Sequence, residues 1–313
     1  MSAYDFPSLN ANQIVLRISS WRASYTSSHT VDNDLNQPKF LFPFPTISMP
    51  SWSPNKILFL IYLFLAVHTG SADVLREQEI SKGIIRHVDP TEVFWLGDRQ
   101  NKFLSLYRET IATQTQGAVI LIHDLGSNPN SIKIMKPFRD YLSKHGWMTL
   151  SLQMPVLESG IPLMEYYEKV PEATNRILAG VEFLVDQNIR NIVIIGHGFG
   201  GVFALNFLAN QTNPIVTALV IIGLPSSKPK FPKSQLENML EIVEIPLFDI
   251  GLNRKNTRFP GDLKKRKRLL RNHKNYQQLA TNEVAAQFRD SGSILVKRVY
   301  SWIMRVTPGV EIR

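Results

Sequence analysis

The chain has 313 residues, no cysteine and a formal net charge of +9. The length admits one α/β domain of roughly 200–250 residues with extra segments, and 44% hydrophobic with 19% charged residues is ordinary for a globular protein. Without cysteine there is no disulfide, no thiolate zinc site, no lipidated cysteine and no cysteine nucleophile; the basic balance favours anionic neighbours and is silent on fold.

Residues 1–48 are rich in Ser, Asn, Thr and Pro and show no sustained apolar period. They read as a disordered or mis-annotated extension. A lone basic residue, Lys56, then leads into 11 apolar residues, Ile57 to Val67, and Gly70-Ser71-Ala72 ends the stretch on small side chains. That pattern predicts a signal peptide over 49–72. The run falls short of the ~20 residues that cross a bilayer. Signal peptides start at the initiator, so Met49 is the expected start and residues 1–48 an artefact of gene-start assignment. The alternative is a membrane anchor at residues 57–67. Either way the folded domain is expected over 73–313, in the periplasm or secreted.

Leu75 to Ile85 is predicted to be a short helix. Glu92–Leu96 and Lys102–Arg108 alternate around Gly97-Asp98-Arg99-Gln100-Asn101, a hairpin signal. Ala118–Ile122 reads as a buried strand, Ile132–His145 as a helix, Trp147–Gln153 as a strand and Glu172–Gln187 as a helix. Asn191–Ile195 is the next strand and Val202–Ala209 the helix after it. Val216–Ile222 is a strand, and the proline-rich Pro225–Pro232 a loop where lids are often inserted. Pro246–Ile250 is a strand, Phe259–Asn272 a basic helix, Tyr276–Ala280 the last strand, and Ser293–Val306 a closing helix with apolar spacing at Ile294, Leu295, Val299, Trp302 and Ile303. Strands alternating with helices imply a parallel sheet with right-handed crossovers.

Between strand and helix lies Gly196-His197-Gly198-Phe199-Gly200. Strand, glycine turn and helix make a nucleophile elbow, whose middle residue normally carries the reactive side chain. Here that residue is Gly198, so the turn is present and the side chain is not. Gly196-x-Gly198-x-x-Gly201 also fits the dinucleotide spacing, but Ile215–Ile222 offers no acid to bind a ribose. No cofactor is expected.

The region from about Glu92 to Ile303 resembles the α/β-hydrolase superfamily. More narrowly it is similar to an uncharacterised bacterial, signal-peptide-bearing α/β-hydrolase-like family of unknown function. The resemblance rests on His123-Asp-Leu-Gly-Ser-Asn-Pro129, Gly146-Trp-Met-Thr-Leu-Ser-Leu-Gln-Met-Pro-Val156, Gly196–Gly200, Ile245–Ile250 and Leu295–Ile303. It implies a three-layer sandwich, a mostly parallel central sheet with an antiparallel N-terminal hairpin, and an envelope location. It implies no established reaction.

A hydrolase of this kind needs a nucleophile at the elbow, an acid after a late strand and a histidine after the last one. His87, His123, His145, His197 and His273 all precede Tyr276, and residues 282–292 contain no histidine. Glu283 is the titratable group in Thr281–Ala286, and a carboxylate is a poor base for a hydroxyl. Asp249 stands near the place of the acid but has no histidine to orient, and reads as a solvated or capping residue. His123 and His197 read as structural neighbours of the site, Ser127, Ser226 and Ser227 as turn residues. A metal site from His123, His197 and Asp124 lacks ligand spacing, so no metal is expected. Lys264, Lys265, Arg266, Lys267 and Arg268 read as a solvated helix face or as a contact for an anionic lipid surface; an exported chain has no nucleic acid partner. The expectation is an α/β-hydrolase-fold protein with a degenerate catalytic site, acting by binding an unknown small ligand or envelope component. The alternative is an active ester or acyl hydrolase with relocated groups at His123 or His197.

Overall fold

The computed structural model describes residues 73–157, 160–210, 215–225, 233–252, 263–281 and 293–307. The extension over 1–48, the signal peptide over 49–72, Ser226, Ser227 and Glu283 lie outside the described residues. Helix α1 covers 73–85. It is followed by β1 (Val93–Leu96), β2 (Phe103–Arg108), β3 (Gly117–Ile122), α2 (Met135–Leu142) with a 3-10 turn at Ser143–His145, β4 (Trp147–Leu152), α3 (Leu163–Glu168), α4 (Val170–Asp186) and β5 (Ile192–His197). Then come α5 (Phe199–Ala209), β6 (Val216–Ile222), α6 (Lys233–Ile242), β7 (Leu247–Leu252), α7 (Leu263–Leu269), β8 (Tyr276–Thr281) and α8 (Ile294–Val306).

The eight strands form one sheet in the order β1-β2-β4-β3-β5-β6-β7-β8. β1 pairs antiparallel with β2 and β2 antiparallel with β4; every later pair is parallel. This is the expected α/β-hydrolase layout. The central parallel strands are largely apolar because helices cover both their faces: all six residues of β3 are buried. Side chains alternate between faces. Ala118, Ile120 and Ile122 enter one core with Ile177, Leu184 and Phe203 of α4 and α5, while Val119 and Leu121 enter the other with Phe138 of α2 and Val299 and Trp302 of α8. Ile84 of α1 packs on Leu104 and Leu106 of β2. Among the described residues no helix is long and apolar enough to cross a membrane.

Two helices escaped the sequence reading, α3 and α6. The basic helix is described only over Leu263–Leu269, and α5 starts at Phe199 rather than Val202. Gly200 and Gly201 thus lie inside the first helical turn. A β-carbon on Gly200 would collide with the Ile122 carbonyl, and one on Gly201 with the Ile221 side chain. These glycines serve close approach of helix to strand.

Candidate functional site

Parallel strands end on one edge, so the segments leaving β3, β4 and β5 stand together: Ile122 is paired with Leu152 on one side and Gly196 on the other. At the end of β5 the chain turns through Gly198, at φ 55° and ψ −120°. A side chain in such a conformation stores about 1–3 kcal/mol of strain; glycine adopts it freely. The Gly198 amide donates to the Ile222 carbonyl at 2.8 Å, and α5 begins at the next residue. The elbow is therefore built in full, with a hydrogen atom where the reactive group would project.

The seat is not empty. Asp124, one residue beyond the buried His123 at the end of β3, swings its carboxylate over Gly198. A β-carbon built there would overlap the Asp124 carboxyl carbon and both its oxygens. Asp124 Oδ1 accepts the Phe199 amide at 2.7 Å and the Leu125 amide at 2.8 Å. Those are the amides, one after the elbow residue and one from the loop after β3, that form the oxyanion hole of a working α/β-hydrolase. A resident carboxylate takes the place of the oxyanion, held by one amide at the N-terminus of α5 and one from the loop after β3. The sequence reading weighed Asp124 only as a metal ligand and gave it no other role. The signal was a pair of exchanges, a carboxylate at 124 and a glycine at 198, in segments 74 positions apart.

His123 is 3% exposed. Its Nε2 accepts the Met154 amide at 3.0 Å, which places the proton on Nδ1, donating to the Asp124 carbonyl at 2.9 Å. Burial pushes its pKa down to about 4, with the nearby Asp124 carboxylate opposing and Arg176 and His197 adding to the shift. Both nitrogens are committed to backbone, so the ring joins the ends of β3 and β4 and has no lone pair for a substrate or a metal. His197 ends β5, half-buried and in register with Ile222. Ser127 closes a turn, its amide donating to the Asp124 carbonyl at 3.1 Å.

Asp249 is neither solvated nor a cap, which corrects the sequence reading. It lies at the middle of β7, between Ile221 and Gln278 in register, and is fully buried. Arg266 of α7 grips it with two bonds, Nε to Oδ2 at 2.7 Å and a terminal nitrogen to Oδ1 at 3.0 Å. The Tyr276 hydroxyl donates to Oδ2 at 2.9 Å and Gln278 Nε2 at 3.2 Å. Burial and the Asp249 charge push the Tyr276 hydroxyl pKa up, so it stays a donor. The Asp249 carboxylate is thus fully engaged by a guanidinium, a hydroxyl and an amide. Arg266 is accordingly withdrawn from the surface assigned to it from the sequence, and Lys265 is tied to Glu237. Lys264, Lys267 and Arg268 remain exposed, with Arg271 and Lys274 beyond them.

Arg176 of α4 donates to Glu77 of α1 at 2.7 and 3.0 Å, to Glu172 at 2.6 Å and to the Gln153 carbonyl at 2.8 Å. It clamps α1 beside the strand ends, and Arg76 and Ile80 of α1 thereby help to wall a cleft of about 230 Å³ that includes His123, Asp124 and Leu125. Burial raises the Glu77 pKa against the lowering pull of Arg176.

Comparison with known proteins agrees with this architecture. The model of a family described as "Protein of unknown function (DUF3530)" matches residues 68–175 and 168–305. Similar solved structures include an esterase from Pyrococcus furiosus, 17% identical with a TM-score of 0.54, covering 68% of this chain and 90% of that one. Est1E from Butyrivibrio proteoclasticus is 12% identical with a TM-score of 0.52, covering 68% and 99%. An α/β serine hydrolase without a lid from Xanthomonas campestris is 14% identical with a TM-score of 0.52, covering 71% and 99%. At these identities the likeness is one of fold. No curated protein matches the sequence.

Proposed function

Because the chain belongs to the DUF3530 family, a family of unknown function, and has the α/β-hydrolase fold of the esterases it resembles, we propose that it is a non-hydrolytic member of that fold which acts by binding. The observation that carries this reading is the Asp124 carboxylate held by the Phe199 and Leu125 amides over Gly198. Acyl transfer needs those two donors free for the charge that develops on the carbonyl oxygen, and losing one such donor costs about 10²–10³ in rate. Here both are occupied by a fixed negative charge that also repels an incoming oxyanion. The chain offers no hydroxyl at the elbow, and Asp249 is committed to Arg266.

The signal-peptide pattern over 49–72 supports a place for this binding protein in the cell envelope, in the periplasm or outside the cell. The exposed Lys264, Lys267 and Arg268 suit a weak contact with anionic lipid or polymer, each worth about 1 kcal/mol near such a surface.

The test is turnover of p-nitrophenyl acetate and butyrate by the purified protein. The reading expects the rate of the uncatalysed reaction. Turnover above it that disappears in His123→Ala or His197→Ala would instead establish an esterase with relocated groups.

A further inference from the structure

Asp124 divides its carboxylate between two tasks. Oδ1 takes both amides, while Oδ2 accepts no hydrogen bond among the described residues. The same side chain lines the 230 Å³ cleft, whose other walls are largely apolar: Ile80, Met154, Val156, Leu157 and Phe203. Arg76 stands among them with an interaction of its own, and His123 contributes a ring kept neutral by its burial, with Nε2 accepting the Met154 amide.

Resting on the binding role argued above, we infer that the polarity of this cleft is inverted relative to a working hydrolase: it takes a small apolar molecule headed by a hydrogen-bond donor, a protonated primary amine above all. An unfilled oxyanion hole presents two N–H donors and attracts carbonyl or carboxylate oxygen. Here those donors face inward to a resident anion, and the free acceptor Oδ2 is left to meet the ligand. An ammonium head forms a charge-assisted hydrogen bond with it. A carboxylate head meets like charge and finds both amide donors already used. The apolar walls accept the alkyl tail.

Hexylamine, 1-hexanol and hexanoate share a tail and differ in the head, so titrating each by ligand-observed NMR at neutral pH isolates the polarity. Hexylammonium is expected to bind at least about ten-fold tighter than hexanoate, with hexanol between them. Asp124→Asn keeps a carbonyl oxygen for the two amides and puts an N–H donor in place of Oδ2. Its preference is expected to reverse toward hexanoate. Equal affinities in the wild type, no binding of hexylamine, or an Asp124→Asn protein that still prefers the amine overturns the inference. The wild-type comparison decides the matter even if the variant does not fold. Ester turnover would sink the binding role whatever the amine result; a protein inert to esters that shows no preference for the amine sinks only this inference.

Discussion

Asp124 and Gly198 occupy one another's space: the carboxyl group of the first fills the volume that any side chain at the second would need. Gly198→Ser alone is therefore expected to destabilise the protein by about 2–6 kcal/mol, overpacking and left-handed strain together. In the Asp124→Gly background the same substitution should cost only the strain, about 1–3 kcal/mol. The non-additivity, read from chemical denaturation of the two single variants and the double, checks the interlock. A serine-reactive phosphonate probe should label neither the wild type nor the single or double variants, because no histidine follows β8 to take the proton of the new hydroxyl.

The Asp249–Arg266 pair is buried on both sides, with side-chain exposures of 1% and 7%. Removing one partner strands a charge, so Arg266→Met should cost about 3–5 kcal/mol. Replacing both, as Asp249→Leu with Arg266→Met, should recover much of that loss, although the Tyr276 and Gln278 donors then lose their acceptor. Thermal unfolding of the three proteins measures both effects.

These two sites show what sequence can and cannot carry. The β-branched runs, Ile192–Ile195 and Val216–Ile222 among them, identify strands because composition and burial are the same fact there. Leu236, Met239, Leu240 and Val243 carry a helical apolar period, yet the prolines just before them drew attention to a loop. The short α3 follows Pro162 and, among its described side chains, buries Tyr166. Arg266 was hidden in a run of five basic residues, though its spacing from Leu263 and Leu270 places it on their inward stripe. The role of Asp124 depends on residues of another strand–helix unit, and no local pattern reports such a meeting.

Stability should fall on acidification because of His123. In the unfolded chain the imidazole takes a proton near pH 6.5; in the folded protein burial delays this until about pH 4. Between those values the unfolded state binds more protons, so stability is full above pH 6.5 and declines as pH drops toward 4, by up to about 3 kcal/mol. Denaturant midpoints at pH 7.5, 5.5 and 4.5 should show a steeper decline for wild type than for His123→Asn. Parallel declines would assign the acid sensitivity to other groups.

Arg176 holds α1 through its paired bonds to Glu77. Arg176→Met should leave the sheet intact and release that helix, raising amide exchange over 73–85 by about 10–100-fold, the equivalent of 1.4–2.8 kcal/mol. Unchanged exchange there would show that Ile84 and its apolar neighbours suffice to hold the helix.

The mutual exclusion at the elbow also shapes what descendants of this gene can become. A serine arriving first at position 198 meets the resident carboxylate; a glycine arriving first at position 124 uncovers two amides with nothing for them to assist. The first step crowds the fold and the second leaves the elbow without a hydroxyl, so the two positions are bound to change together.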